Sequence, residues 1–206
     1  LWLIQDAAWE GYEEIPLRIV EGYSTIMLEL DAQLETAGMP APDLAAVQIG
    51  VGSLAAAMVP FMSRFGGGGT VIAGVEPDSA ACALEAAAAE RIVTVPGPHR
   101  SVMAGLCCGT LSTTAWPVLR DGIDLFVTAS DEDAFEAMRT LASDGIISGE
   151  SGAAGLAGLA ALLRTGEGRG ILDSLGIGPG CDVLLISTEG VTDPDLYRRV
   201  VNPPGR

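Results

Sequence analysis

The sequence predicts an α/β fold, an open and mostly parallel twisted sheet with helices on both faces. Three observations carry that expectation. Strand-like and helix-like patterns alternate along the chain at the spacing of β–α–β units. The candidate strands are apolar runs rather than period-two alternations, Leu44–Ile49 and Thr70–Val75 among them, and strands buried on both faces read that way. With 49% hydrophobic residues in a chain of 206, a sizeable core can be buried, and nothing in the composition suggests disorder. Handed crossovers then gather the loops that follow the strands along one edge, where such folds place ligands. Those loops are Gln5–Gly11, Gly50–Ser53, Glu76–Ser79, Ser148–Ser151 and Ser187–Gly190.

Leu1–Ile4 is apolar and reads as the end of a strand. Asp6–Pro16 (DAAWEGYEEIP) is acidic, aromatic and irregular. It reads as a loop at the carboxyl end of a strand, or as a solvated acidic turn with one buried tryptophan. Arg18–Ala37 is a helix: Ile19, Tyr23, Ile26, Leu30, Leu34 and Ala37 recur at three- and four-residue steps, and Gly38 and Pro40 end it. After the strand at Leu44–Ile49 a helix runs from Leu54 to about Arg64, followed by a glycine turn at Gly66–Gly69. Thr70–Val75 is a buried strand, and Glu76-Pro77-Asp78-Ser79 stops it and caps a helix through Ala89.

Ile92–Val95 is a short strand candidate, Pro96–Thr110 a Gly- and Pro-rich loop, and Ser112–Leu119 a short helix. Leu125–Thr128 is a strand, and Ser130-Asp131-Glu132-Asp133 opens a helix with acid groups where the helix dipole favours them. Ile146–Glu150 is a short extended run. The helix beyond it carries Gly152, Gly155 and Gly158 at every third position, which suits either close approach to a sheet or ligand or a tightly packed core. Val183–Ser187 is the last strand, and Asp193-Pro194 opens a terminal helix.

The organising stretch is Gln48–Ala57, QIGVGSLAAA. A strand that ends in a glycine loop opening a helix is a ready anion site, because the first N–H groups of the helix are free and its dipole favours negative charge. Two glycines at such a joint also serve plain turn geometry, and both readings stand at this point.

Net charge is −16. That speaks against nucleic acid and anionic membranes as partners. All 11 basic residues are arginine and none is lysine. Cys82, Cys107, Cys108 and Cys181 form no CxxC pair and read as reduced thiols of a cytoplasmic protein. The single histidine, His99, lies between a proline and an arginine and reads as a turn residue; no zinc pattern is present. Leu44–Ser63 is 20 residues without a charge, long enough to span a bilayer. Gln48, Gly50, Gly52, Ser53 and Pro60 interrupt it, so strand, loop and buried helix explain it better. Neither a start methionine nor a lead-in precedes Leu1, which gives the expectation of a piece of a longer protein.

Five pieces, GVGSL (Gly50–Leu54), GVEP (Gly74–Pro77), DLFVTASDED (Asp124–Asp133), GESGAAGLAGL (Gly149–Leu159) and LLIST (Leu184–Thr188), fall in the order found in fold-type II pyridoxal-phosphate (PLP) enzymes. The chain resembles that family over most of its length. QDAAWEGYEEIP (Gln5–Pro16), MAGLCCGTLSTTAW (Met103–Trp116) and STEGVTDP (Ser187–Pro194) resemble its diaminopropionate ammonia-lyase branch.

The resemblance implies a PLP-dependent α,β-elimination that turns 2,3-diaminopropionate into pyruvate and ammonia, in an enzyme that is a homodimer at full length. It implies that Gly50, Val51, Gly52, Ser53 and Leu54 hold the cofactor phosphate through backbone N–H groups. It also implies that Ser187 faces the pyridine nitrogen as a neutral hydroxyl, which tempers the electron sink and suits elimination over transamination. Asp6 is the implied acid/base near the substrate amine; a loop carboxylate accepting backbone bonds is the plainer alternative. The family needs a lysine to bind the cofactor covalently, and this sequence has none. The expectation is that residues 1–206 are the carboxyl-terminal part of a PLP-binding α/β domain whose lysine-bearing amino-terminal half is absent, inactive alone. A threonine or serine dehydratase of the same fold, or a catalytically dead module binding PLP or an amino acid, are the alternatives.

Overall fold

Two strands decide how the sheet is covered. In β1 (Leu44–Gln48) all five residues are buried; Ala45 and Val47 face one core, Leu44 and Ala46 the other. In β2 (Val71–Pro77) Ile72 faces the first core, and Ala73 and Val75 the opposite side. Strands without a solvent face need cover on both sides. In the computed structural model, which describes residues 3–64 and 69–202, β3 (Leu125–Ala129) and β4 (Val183–Leu185) complete a sheet of order β3-β2-β1-β4 with every neighbouring pair parallel. Four helices cover the Ala45 and Val47 face: α1 (Glu14–Ala37), α2 (Ser53–Met62), α3 (Cys82–Ala89) and α4 (Trp116–Gly122). The other face carries α5 (Asp131–Ser143), α6 (Ala154–Arg164), α7 (Gly166–Ser174) and α8 (Pro194–Val201). The expected fold class holds.

Local chemistry sets the element ends. α1 stops at Gly38, whose φ of 63° suits glycine. α5 opens with a capping box between Ser130 and Asp133, and Asp193 caps α8 by accepting from the N–H groups of Asp195 and Leu196. The glycine stripe of α6 lets that helix approach the sheet. A Cβ on Gly158 would stand 2.7 Å from both γ-methyls of Val75, and one on Gly155 3.3 Å from the Ala46 oxygen.

Several expectations are corrected. Ile92–Val95 is not a strand; its Val95 N–H reaches Gly109 O, and Pro96, directly after it, has no N–H with which to extend a ladder. Leu3 and Ile4 are exposed coil, while Leu1 and Trp2 lie outside the described residues. Ile146–Glu150 pairs with no strand. β2 runs on through Pro77, and α3 starts only at Cys82, after a 3₁₀ turn at Asp78–Ala80. α4 starts at Trp116, with Pro117 in its first turn where its missing N–H costs nothing. α7 had no counterpart in the sequence reading, and β4 is shorter than expected. Gly66–Gly68 of the expected glycine turn lie outside the described residues. Trp9 is 41% exposed rather than buried, its ring stacked on Tyr12 at 4.4 Å.

Ser112, fully buried, ties three segments together. Its Oγ accepts from Ala8 N–H at 2.9 Å, its own N–H donates to Val51 O at 2.9 Å, and the next N–H, Thr113, donates to Ala8 O at 3.1 Å. The amino-terminal loop is thereby clamped to the glycine loop after β1. Glu76, buried at the end of β2, takes the amino end of α3: its carboxylate accepts from Ala83 N–H at 2.7 Å and Leu84 N–H at 2.9 Å. Burial pushes its carboxyl up to about 7, and those N–H bonds pull the other way.

Two outcomes follow from these ties. Ser112→Ala leaves the buried Ala8 N–H without its acceptor and should lower unfolding free energy by ~1–3 kcal/mol; denaturant unfolding followed by tryptophan fluorescence reads it, and an unchanged midpoint removes the clamp. Glu76 has a folded pKa raised above that of the unfolded chain. Its contribution to stability is complete below about 4.5, and it is lost as pH rises through about 7. Thermal melts between pH 5 and 8 should therefore fall more steeply for the native chain than for Glu76→Gln; parallel pH slopes refute the assignment.

Candidate active site

β1 hands the chain to β2 on one side, while β4 docks on its other side. The loops leaving the carboxyl ends of β1 and β4 therefore diverge and open a crevice between them. A cleft of about 390 Å³ lies there. Its floor is the loop after β1, Gly50 to Leu54; Thr188 and Glu189 come from beyond β4. Asp6 enters from the amino-terminal loop, Gly105 and Cys108 from the loop before α4, and Gln48 and Ser151 line the wall between β1 and α6.

The floor is an open helix end. Gly52, at φ 100° and ψ 0°, precedes α2, which has no side-chain cap. The intrahelical bonds start with Ala56 N–H to Gly52 O at 2.8 Å, so Ser53, Leu54 and Ala55 N–H have no acceptor within the helix. Packing also demands glycine here. A Cβ on Gly52 would sit 3.0 Å from the Ala115 Cβ, and one on Gly50 3.1 Å from Gly105 O. The turn reading and the anion reading of this loop are thus compatible: geometry fixes the glycines, and the same geometry leaves the helix end open to an anion.

The amino-terminal loop is fastened to this floor, since Ser53 Oγ donates to Asp6 O at 3.2 Å. The bond holds the Asp6 backbone, while Asp6 itself lines the cleft. Ser187 stands at the edge. Its Oγ shares a hydrogen bond of 2.8 Å with Ser148 Oγ, and it is the following residues, Thr188 and Glu189, that line the cleft. A Cβ on Gly152 would come within 2.9 Å of that Ser187 oxygen. Structure thus gathers Asp6 and Gly50–Leu54 around one cavity and sets Ser187 beside it. Glu76–Ser79 leaves the same sheet edge, as expected, but is not part of the cleft's lining; Ser79 Oγ donates to Arg100 O.

Four wall residues lie in stretches the sequence singles out but receive no role there. Glu189 accepts from Ser151 N–H at 2.7 Å and Gly152 N–H at 3.3 Å, holding the turn before α6. Gln48, buried, donates from Nε2 to Thr188 Oγ1 at 3.1 Å, whereas its Oε1 has no partner among the described residues. Ser151 Oγ, also buried, has none either. A polar residue inside the apolar run of β1 is the signal that could have singled out Gln48. Cys108 is the fourth. Burial first, then the nearby Asp6, Cys107 and Glu76 charges, pushes its thiol up to about 11, so near pH 7 it is a neutral thiol rather than a nucleophile. The described residues contain no cluster of three or more His, Cys, Asp or Glu able to hold a metal ion, and no helix long and apolar enough to cross a membrane.

The profile of the family described as pyridoxal-phosphate dependent enzyme matches residues 11–172. Diaminopropionate ammonia-lyase of Salmonella typhimurium is 37% identical over 208 aligned positions, which cover 97% of this chain and 52% of that protein. Diaminopropionate ammonia lyase from Escherichia coli, solved in complex with an aminoacrylate–PLP azomethine reaction intermediate, superposes with a TM-score of 0.84 at 35% identity, covering 96% of this chain and 51% of that one. A threonine deaminase from T.th. superposes with a TM-score of 0.70 at 26% identity, over 84% of this chain and 54% of that one. The chain spans about half the length of the curated relatives it matches. With the profile matching well over half of its residues, the chain belongs to the family of pyridoxal-phosphate dependent enzymes.

Proposed function

We propose that this chain carries the phosphate-binding and substrate-facing part of a PLP-dependent carbon–nitrogen lyase. The reaction is an α,β-elimination from 2,3-diaminopropionate that, with one water consumed, yields pyruvate and two molecules of ammonia. The observation that carries the reading is the uncapped amino end of α2 at the floor of a switch-point cleft, in a chain 37% identical to a diaminopropionate ammonia-lyase across nearly all its length. The cleft residues fit the cofactor. A phosphate dianion suits the free N–H groups of Gly50–Leu54, and the buried unpartnered oxygens of Gln48 and Ser151 mark a cavity built for a polar ligand.

When bound, PLP supplies the electron sink that stabilises negative charge at the substrate Cα. The chain's own residues supply the rest. Gly50, Val51, Gly52, Ser53 and Leu54 anchor the phosphate. Ser187, a neutral hydroxyl already engaged with Ser148, is assigned to the pyridine nitrogen and leaves it unprotonated. Asp6, its backbone fixed by Ser53 and its neighbour Ala8 by Ser112, moves a proton at the substrate amine. Domain organisation belongs to the same proposal: residues 1–206 form the carboxyl-terminal part of a PLP-binding domain, and the lysine comes from sequence outside them. Free cysteines support a reducing, cytoplasmic setting, and the family resemblance supports a homodimer. The likeness to threonine deaminase supports a second reading, elimination from a hydroxyamino acid. The missing lysine supports a third, a module that binds without turnover.

Mixed with PLP and reduced with borohydride, the 206-residue polypeptide alone should gain no phosphopyridoxyl adduct on a side chain by peptide mass mapping, because arginine stays protonated and forms no Schiff base, and the Leu1 α-amino group is mapped separately. A one-equivalent adduct that maps to a side chain refutes the assignment of the lysine to other sequence. In the full-length protein, pyruvate release from diaminopropionate, with serine and threonine as controls, separates the three readings. There Asp6→Asn should lower turnover roughly 10²–10⁴-fold while the melting temperature stays near that of the parent. Full activity in that variant takes Asp6 out of the mechanism.

A further inference from the structure

The cleft is polarised, and the unpartnered oxygens of Gln48 and Ser151 in it have no assigned occupant. One pole is the open end of α2, which attracts an anion. Another part of the lining is made of acceptors. Gln48 is 4% exposed; its Nε2 is committed to Thr188 Oγ1 at 3.1 Å, which leaves Oε1 as an unpartnered acceptor. Ser151 is 7% exposed, and its Oγ is likewise unpartnered among the described residues. Both residues line the cleft, as do Asp6 and Glu189. No arginine or histidine lines it among the described residues. A buried acceptor left without a donor costs about 1–3 kcal/mol, and native structures retain such groups where a ligand satisfies them.

We infer that Gln48 Oε1 and Ser151 Oγ form the subsite for an ammonium group of the substrate, the second, β-ammonium of a diamino acid. This subsite rests on the elimination reading above, which supplies an amino-acid substrate; the new element is which group selects the diamine. An ammonium offers three donors and a full charge, so it satisfies both unpartnered oxygens and is attracted by Asp6 and Glu189. Glu189 keeps its carboxylate bonded to the N–H groups of Ser151 and Gly152, so it acts as a fixed negative charge behind Ser151. A hydroxyl in the same place brings one donor and no charge. Gly105 keeps the subsite open: a Cβ there would stand 3.3 Å from Ser151 Oγ. The pair therefore discriminates diaminopropionate from serine, which differs only in that group.

The test measures saturation of the full-length, PLP-loaded protein by diaminopropionate and by serine, using calorimetry and the change in cofactor absorbance. Ethane-1,2-diamine and ethanolamine serve as competing probes that lack the carboxylate. Gln48→Met keeps the volume and removes the acceptor; Ser151→Ala is a smaller change that tests the same subsite if the first variant folds poorly. Removing one hydrogen bond to a charged group should cut the preference for the diamine over the hydroxyl partner about 10- to 100-fold in each pair. An unchanged preference in both variants overturns the inference. If the parent prefers the diamine in a Gln48-dependent way but releases no pyruvate, the elimination reading fails and the subsite stands. If it releases pyruvate with a preference indifferent to Gln48 and Ser151, the subsite fails and the elimination reading stands. Binding of neither amine removes both.

Discussion

Everything at the cleft depends on the place of β1 in the sheet. It is flanked by β2 on one side and β4 on the other, and its five residues have no solvent face. Its chain must leave at the carboxyl end toward one neighbour, so the space above the other stays open. Gly52 completes this constraint. With φ near 100° the backbone reverses into α2 without a side chain that would strike Ala115 or Leu119. A turn that is sterically forced thus also presents a helix end with nothing to cap it.

The clamp around Ser112 converts that local geometry into a site. Residues 5–12 have no regular structure beyond the Trp9–Tyr12 bridge, and by themselves they would sample many arrangements. Hydrogen bonds from Ala8 to Ser112, from Ser112 to Val51, and from Ser53 to Asp6 fix the loop against the very residues that form the floor. The position of the Asp6 carboxylate and the shape of the glycine loop are therefore not independent. A change that loosens one displaces the other, which is why a serine far along the chain from Asp6 belongs to the same functional unit.

The fold was legible because its evidence is local and repeated. Apolar runs of the right length, Gly38 after α1 and Ser130 before α5 each report on their own neighbourhood, and they agree. The failures share a cause. Ile92–Val95 and Ile146–Glu150 have strand-like composition, but pairing is a property of partners elsewhere in the chain. Likewise the glycine loop and Asp6, which line one cleft, could be singled out as a candidate site because they sit in recognisable strings. Gln48, Ser151 and Ser112 act through bonds spanning long stretches of sequence, Gln48 to Thr188 and Ser112 to Ala8 among them, and no short pattern carries those.

The division of charge across the cleft explains how a site with no lysine of its own still has a defined chemistry to offer. The chain contributes neither a primary amine side chain nor, among the described residues, a basic side chain along the cleft, so no side chain of it forms a Schiff base with an aldehyde and none along the cleft neutralises a phosphate with a cation. In the role proposed for the glycine loop, partial charges would do that second task, since aligned N–H groups at a helix end carry about half an elementary charge. Such dipoles are built into the backbone and keep their direction whatever the pH. The acceptor wall is the complement, where Asp6, Glu189, Gln48 and Ser151 hold negative or partial negative charge. A ligand with a phosphate at one end and an amine at the other would be oriented by this field before any covalent step. Orientation and covalent attachment are in this way separable tasks, and the first can be written wholly in the residues of this chain.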